Sequence, residues 1–248
     1  MYTAFATIYD ELMGDVDYIA WANLYGKIMN HFGVDKGMVA ECACGTGGLT
    51  IPLSCLGYKI TGIDLSAEML FEAAKKARNE GLSIPFVKQD MRQMKLHRPM
   101  DAVLCTCDGL NYLTMEKDVR AFFHAAYEAL RPGGGLFFDI STPYKLELTL
   151  GDNLLMQDTP RITYLWSNHF DKAARLVNMD LCFFIKAEDG RYDRLDERQT
   201  QRAHSMAEMA QWLQEAGFTA PKVYGEKDMS APKEKEMRWH FAAIKRVI

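Results

Sequence analysis

A chain of 248 residues with 48% hydrophobic content can bury one substantial core, enough for a single domain with an elaboration or a domain and a half. Its formal net charge of −4 argues against a phosphate backbone as the main partner and leaves nucleic acid only a local basic groove. No run of about 18 apolar residues exists to cross a bilayer, and Met1 to Gly14 is acidic with no leading Lys or Arg, so neither a membrane partner nor a secretory leader is expected. A cytoplasmic protein with its six cysteines reduced is the reading that remains.

Tyr18, Trp21, Leu24, Tyr25, Ile28, Met29 and Phe32 recur at three- and four-residue spacing and close on Gly33, which predicts an amphipathic cover helix. Next comes Val39-Ala40-Glu41-Cys42-Ala43-Cys44-Gly45-Thr46-Gly47-Gly48. An apolar start, a carboxylate, a glycine-punctuated turn and a helix make the first β-loop-α unit of a nucleotide-binding sheet. The second strand, Tyr58 to Ile63, ends at Asp64, an acid placed to accept from both ribose hydroxyls or to cap the following helix. Charge separates this loop from a dinucleotide site: Glu41 would repel a pyrophosphate and welcome an ammonium and a sulfonium. Thr50 also stands where a dinucleotide fingerprint has its third glycine. S-adenosylmethionine is favoured over NAD.

Ser66 caps a helix to about Glu80; Ile84 to Val87 and Ala102 to Thr106 form strands three and four. Thr114 is expected to cap a helix with the core stripe Val119, Phe122, Phe123, Ala126, Tyr127 and Leu130, and Leu136 to Ile140 supplies strand five. Strands alternating with helices at this spacing specify a parallel sheet covered on both faces. Cys42 with Cys44 and Cys105 with Cys107 end neighbouring strands. Their one-residue spacing is too short for a structural zinc site and sets each pair on one strand face, so they are read as buried or lining thiols with no metal.

Between Pro143 and about Ala203 the rhythm changes. Val177, Met179, Leu181, Phe183 and Ile185 alternate with other residues as in a one-face-buried antiparallel strand, and Glu188-Asp189-Gly190 makes a hairpin turn. The partner strand Arg191 to Arg202 is very polar, and Arg161 to Phe170 is a third strand. Residues 146–203 thus form an inserted antiparallel layer, for substrate or for a homodimer contact, over the carboxyl edge of a core made by 1–145 and 204–248. Arg194, Arg198 and Arg202 share one strand face, which suits solvent or a dimer edge. Ser205 to Glu208 is a capping box for a helix to Gly217, and Lys222 to Tyr224 with Arg238 to Lys245 closes the chain as a strand pair.

Glu41 to Gly47 resembles the first motif of the class I S-adenosylmethionine-dependent methyltransferases of small-molecule type. The resemblance continues in order through Gly62-Ile63-Asp64-Leu65-Ser66, Lys88-Gln89-Asp90-Met91, Asp101 to Cys105 and Leu130-Arg131-Pro132-Gly133-Gly134-Gly135. It implies an α/β, Rossmann-like seven-stranded sheet, mostly parallel with an antiparallel terminal strand, plus the inserted small antiparallel β layer. S-adenosyl-L-methionine is the cofactor it implies. Glu41 then receives the cofactor's ammonium; Ala43, Cys44, Gly45, Thr46 and Gly47 cradle its methionine portion; Asp64 takes the ribose. Leu65 and Met69 flank the adenine, whose edge meets the Asp90 carboxylate and the Met91 N–H. Cys107 and Asp108 stand where the reactive methyl should sit, in a run Cys107 to Leu113 similar to small-molecule methyltransferases but with Gly109 in place of the commoner Ser. Tyr9 matches a tyrosine that closes over the cofactor in sugar N-methyltransferases.

Tyr9 and Asp108 are therefore the candidate catalytic residues, and Asn111, Tyr144, Trp166 and His204, with Arg175, are acceptor-pocket candidates by position. Neither the Asp/Asn-Pro-Pro-aromatic signature of nucleobase amino methylation nor a Pro-Cys nucleophile is present. A small-molecule acceptor at nitrogen, oxygen or carboxylate leads; RNA or protein, or a non-catalytic binding module, are the alternatives.

Overall fold

Apolar runs that need cover on two sides become the centre of the sheet: β1 (Met38–Cys42), β2 (Lys59–Asp64), β3 (Phe86–Lys88), β4 (Met100–Cys105) and β5 (Leu130–Ser141). The computed structural model describes residues 3–247, so the first two positions and the last position of the expected core lie outside the described residues. With β10 (Lys222–Tyr224) and β11 (Arg238–Ile244) the strand order is β10-β11-β5-β4-β1-β2-β3. Every pairing is parallel except those of β11, which runs antiparallel between β10 and β5. This is the expected mostly parallel seven-stranded sheet with an antiparallel terminal strand.

Helices cover both faces. On one, α5 (Glu116–Ala129) and α6 (Met206–Glu215) bury Phe122, Phe123 and Trp212 against Phe138 and Phe241, two rings stacked at 4.8 Å. On the other, α2 (Tyr18–His31) and α3 (Thr50–Cys55) bury Tyr25, Ile28, Met29 and Leu53 with Phe137. Ser66 caps α4 (Ala67–Asn79) by accepting from the Met69 N–H at 3.1 Å, and Ser205 and Glu208 form the capping box of α6. The expected Thr114 cap is corrected: Met115 takes the N-cap position with no side-chain bond, and Glu116 and Asp118 in the first turn answer the helix dipole instead.

The inserted layer has four strands rather than three, in the order β6 (Leu154–Asp158), β7 (Ile162–Asp171), β8 (Leu176–Lys186) and β9 (Tyr192–Arg202). A wide π-type turn of helix, Tyr144–Leu150, leads into it and packs Leu146 and Leu150 under Val177 and Met179. Helix α1 (Thr3–Leu12), which the sequence reading did not place, joins layer to core: Phe5 and Ile8 share one cluster with Ile162, Phe183 and Met69.

Candidate functional site

Leaving β1 the chain winds outward through β2 and β3, and leaving β4 it winds the other way through β5. The crevice beyond the carboxyl ends of β1 and β4 is therefore the topological switch point at which open α/β sheets bind ligands. A cavity of about 640 Å³ lies there. Twelve of the expected cofactor residues meet in its wall: Tyr9, Glu41, Ala43, Cys44, Gly45, Thr46, Asp64, Leu65, Met69, Asp90, Met91 and Cys107. Gly47 stands behind the loop, where at φ +76° an added Cβ would lie 3.2 Å from that of Ala73. It serves the packing of the turn on α4.

Glu41, next to last in β1, is only 2% exposed and accepts hydroxyl bonds from Thr50 and, at 3.5 Å, from Thr106. Burial, helped by the nearby Asp64, raises its carboxyl to about 7 against those two bonds. A buried carboxylate facing a cavity with only hydroxyls for partners fits a cationic ligand group. Thr50 matters here as the support of Glu41, a role that its sequence position as the missing third glycine did not suggest.

Asp64 binds the loop from below: its two oxygens accept from the Gly45 N–H at 2.8 Å and the Ser66 N–H at 2.9 Å. Gly45 holds φ +54° with open space where a Cβ would be. Ala43 takes a left-handed φ of 53° despite its side chain. Its methyl also explains Gly109, because a Cβ there would stand 2.9 Å from that of Ala43 and 3.0 Å from Cys105 Sγ. Gly109→Ser should therefore cost roughly 1–3 kcal/mol as overpacking, and Ala43→Gly should recover part of it. Thermal melts of the single and double variants check the coupling; additive losses would separate the two sites.

Helix α1 is latched across the loop, since Asp10 accepts from the Thr46 hydroxyl at 2.6 Å and pairs with Lys76 at 2.7 Å. The Tyr9 hydroxyl is hydrogen-bonded to Tyr18, whose ring lies flat on Gly48, leaving no room for a Cβ there. Burial pushes both phenols, and the Cys107 thiol beside them, well above their usual range, so all three are neutral. Asp90 is gripped by Arg92, with Nε 3.0 Å from each carboxylate oxygen, and Arg92 reaches on to Asp118 at 3.0 Å. That Arg92 bond holds the Asp90 carboxyl below its usual value.

Six expected residues are elsewhere. Asp108 does not line the cavity: at φ 65° its side chain turns back to Arg238, Lys145 and Ser141 and anchors the loop rather than facing a substrate. Asn111 spends its amide on the Ser141 N–H and on the carbonyls of Ser141 and Arg202, stitching β5 to β9. Tyr144 sits on the π-type turn, Trp166 on the inner face of β7 and His204 edge-on to Trp212, all outside the cavity wall. Burial, with Arg202 nearby, lowers His204 to about 4, so its ring is neutral. Arg175 pairs with Glu208. In their place Tyr18, Thr106, Tyr112 and Gln199 line the cavity, the Tyr112 hydroxyl donating to Gln199 Oε1 at 2.8 Å. Cys42 packs its sulfur 3.5 Å from Met94 Sδ, and no group of three metal-ligating side chains comes together among the described residues.

A switch-point crevice with a buried acid on its first strand and a second acid on the next defines an open α/β protein that binds a ligand beyond its strand ends. A methyltransferase-domain family model matches residues 39–134. A methyltransferase of Geobacillus sp. (strain WCH70) is 35% identical, with the match covering 98% of this chain and 99% of that one. The crystal structure of an S-adenosylmethionine-dependent methyltransferase from Clostridium acetobutylicum ATCC 824 has a TM-score of 0.90 at 30% identity over 99% of each chain. The sugar N-methyltransferase KedS8 from Streptoalloteichus sp. ATCC 53650 shares the fold, with a TM-score of 0.79 at 19% identity over 96% of this chain and 93% of its own. The chain belongs to the S-adenosylmethionine-dependent methyltransferases, and its cofactor is S-adenosyl-L-methionine. No helix among the described residues is long and apolar enough to cross a membrane.

Proposed function

We propose that this methyltransferase acts on a small-molecule acceptor, and that it contributes position and dryness rather than proton abstraction. The observation that carries this reading is the sorting of charge along the cavity. The acids Glu41, Asp64 and Asp90 stand along the cofactor wall, while the wall made by Tyr9, Tyr18, Thr106, Cys107 and Gln199 presents neutral groups. Helix α1 and strand β9 border that side, a geometry suited to a metabolite rather than a folded chain or duplex. The name of KedS8 describes a sugar amine as methyl acceptor, which is in keeping with this class.

When bound, the cofactor supplies a methyl group on a positively charged sulfur. Glu41 receives its ammonium, the turn of Ala43, Cys44, Gly45 and Thr46 lies along its methionine portion, and Asp64 accepts from its ribose. Leu65 and Met69 flank the adenine, with Asp90 and Met91 at the adenine edge. Tyr9 and Tyr18 close the site, excluding water while the nucleophile is held in line. With neutral groups at Tyr9, Tyr18 and Cys107 on that wall, the nucleophile arrives unprotonated, as a carboxylate or a neutral amine does.

The purified enzyme with methyl-labelled cofactor and a panel of amines, phenols and carboxylates should yield a product heavier by one methyl group; label found only in RNA or protein would refute the small-molecule reading. Asp64→Ala should weaken S-adenosylhomocysteine binding by roughly 1–3 kcal/mol in calorimetry, through loss of a charge-assisted pair. Unaltered affinity would remove Asp64 from the cofactor site.

A further inference from the structure

At the end of the cavity walled by Asp90, Met91, Arg92 and Asp118, one guanidinium stands between two acids. Asp90 caps the single turn Met91–Gln93 and accepts from the Arg92 N–H at 2.9 Å. The Arg92 side chain folds back on the same carboxylate, with Nε 3.0 Å from each oxygen and Nη2 bonded to Oδ2. Its other arm, Nη1, meets Asp118 in the first turn of α5 at 3.0 Å. One residue thus supplies three donors to Asp90 and ties the turn to a helix on the far side. With the Arg92 side chain 35% exposed, such pairs add little to stability, which leaves orientation as what they supply.

A carboxylate offers about four acceptor positions, and three donors from Arg92 leave one for a group in the cavity. Arg92 also holds the Asp90 carboxyl below its usual range, so at neutral pH it accepts and never donates. Beside it, Met91 opens the turn, and an N–H at that position has no partner within the turn. A fixed acceptor next to a fixed donor matches the amino group and ring nitrogen of adenine. The oxo group and ring N–H of hypoxanthine oppose both. Without Arg92 the carboxylate would be free to rotate away from an oxo group, and repulsion from the equally unpaired Asp118 would favour that turn.

We propose that Arg92, anchored by Asp118, is a positioning residue for cofactor selection: it locks Asp90 as a single acceptor, so that the site takes a 6-amino purine and rejects a 6-oxo one. This rests on the placement of the adenine edge at Asp90 and Met91. Asp90 touches the base; Arg92 and Asp118 act through it.

Calorimetric titration with S-adenosylhomocysteine and with S-inosylhomocysteine, its 6-oxo analogue, tests this. Wild type should prefer the amino form by about a hundredfold. Arg92→Gln should cut that preference by about tenfold or more. Arg92→Lys should cut it nearly as far, because a point charge cannot fix the plane of a carboxylate, and Asp118→Asn should cut it less, because only the anchor is lost. An arginine with a merely structural role would weaken both ligands alike and leave their ratio unmoved. Circular dichroism checks that each variant folds, and Asp118→Asn, which alters no contact of Asp90, carries the test if Arg92→Gln does not. An unchanged ratio in both Arg92 variants, or in Asp118→Asn, overturns the proposal, while a ratio lowered by Asp90→Ala keeps the adenine edge where it is placed. An unchanged ratio in Asp90→Ala, or no preference in wild type, overturns both.

Discussion

Arg238→Leu should destabilise the protein by about 3–5 kcal/mol, because it strands two buried carboxylates that the guanidinium now bridges. Arg238 enters from β11 and pairs with both Asp108 and Asp139, Nη2 lying 3.2 Å from Asp108 Oδ2. Asp139 is fully buried on β5 and accepts from the N–H groups of Cys107 at 2.9 Å and Asp108 at 3.0 Å, as well as from the Tyr25 hydroxyl at 3.2 Å. Cys107 and Asp108 are consecutive non-glycine residues at φ 54° and 65°, a strained pair held by those two bonds. Without Arg238, Lys145, 3.6 Å from Asp108, is the one cation paired with these acids among the described residues.

For a chain of this length the loss corresponds to a Tm lower by roughly 10 °C. Because Cys107 lines the cavity proposed to hold the cofactor, S-adenosylhomocysteine affinity should fall as well. Arg238→Lys keeps the charge but not the fork that spans two acids, so it should fall between wild type and Leu. The pH profile has a defined sign. Burial alone would raise the Asp108 carboxyl, but Arg238 and Lys145 hold it well below the usual range. Its contribution is therefore fully present above about pH 4 and is lost only as pH falls through the lowered value. A melting temperature that Leu leaves unmoved would show that the two acids do not depend on the arginine.

Much of this architecture is legible in the sequence where the physics is local. Strands buried on both faces are unbroken apolar runs, so β1 to β5 announce themselves, and caps such as Ser66 and Ser205 act within one turn. Strand β6 escapes because it turns Leu154 and Met156 outward, the reverse of the usual alternation. Helix α1 escapes because its partners lie in the inserted layer, more than a hundred residues on. The same distance misleads at the site. Asp108 and Asn111 follow the fourth strand, where a substrate contact is natural, yet their partners Arg238 and Arg202 come from strands 130 and 91 positions away. The polarity of β9 is plain in the sequence, but only its register against β8 shows that Glu197 and Gln199 face inward.

Cofactor affinity should depend on pH through Glu41, and Glu41→Gln should abolish the dependence. In the free protein the Glu41 carboxyl titrates at about 7, raised chiefly by burial. An ammonium pairs with the ionised form, so binding favours deprotonation and the bound carboxyl titrates lower. Between those two values the affinity for S-adenosylhomocysteine should improve about tenfold per pH unit as pH rises, and level off above about 7. Stability of the free protein moves the other way. A carboxyl raised from 4.5 to about 7 favours the folded state below 4.5, and that advantage is lost as pH rises through 7, a loss of roughly 2–4 kcal/mol. Free protein is thus least supported at Glu41 in the pH range where it binds best, so the melting-temperature gain on adding ligand should grow from pH 6 to pH 8. Glu41→Gln keeps the shape and the Thr50 contact but removes the charge; calorimetry should find weak, pH-independent binding about a hundredfold below wild type at pH 8, as expected for a buried charge pair worth about 3 kcal/mol. A variant that binds as tightly as wild type at pH 8 would show that the ammonium is met by another residue.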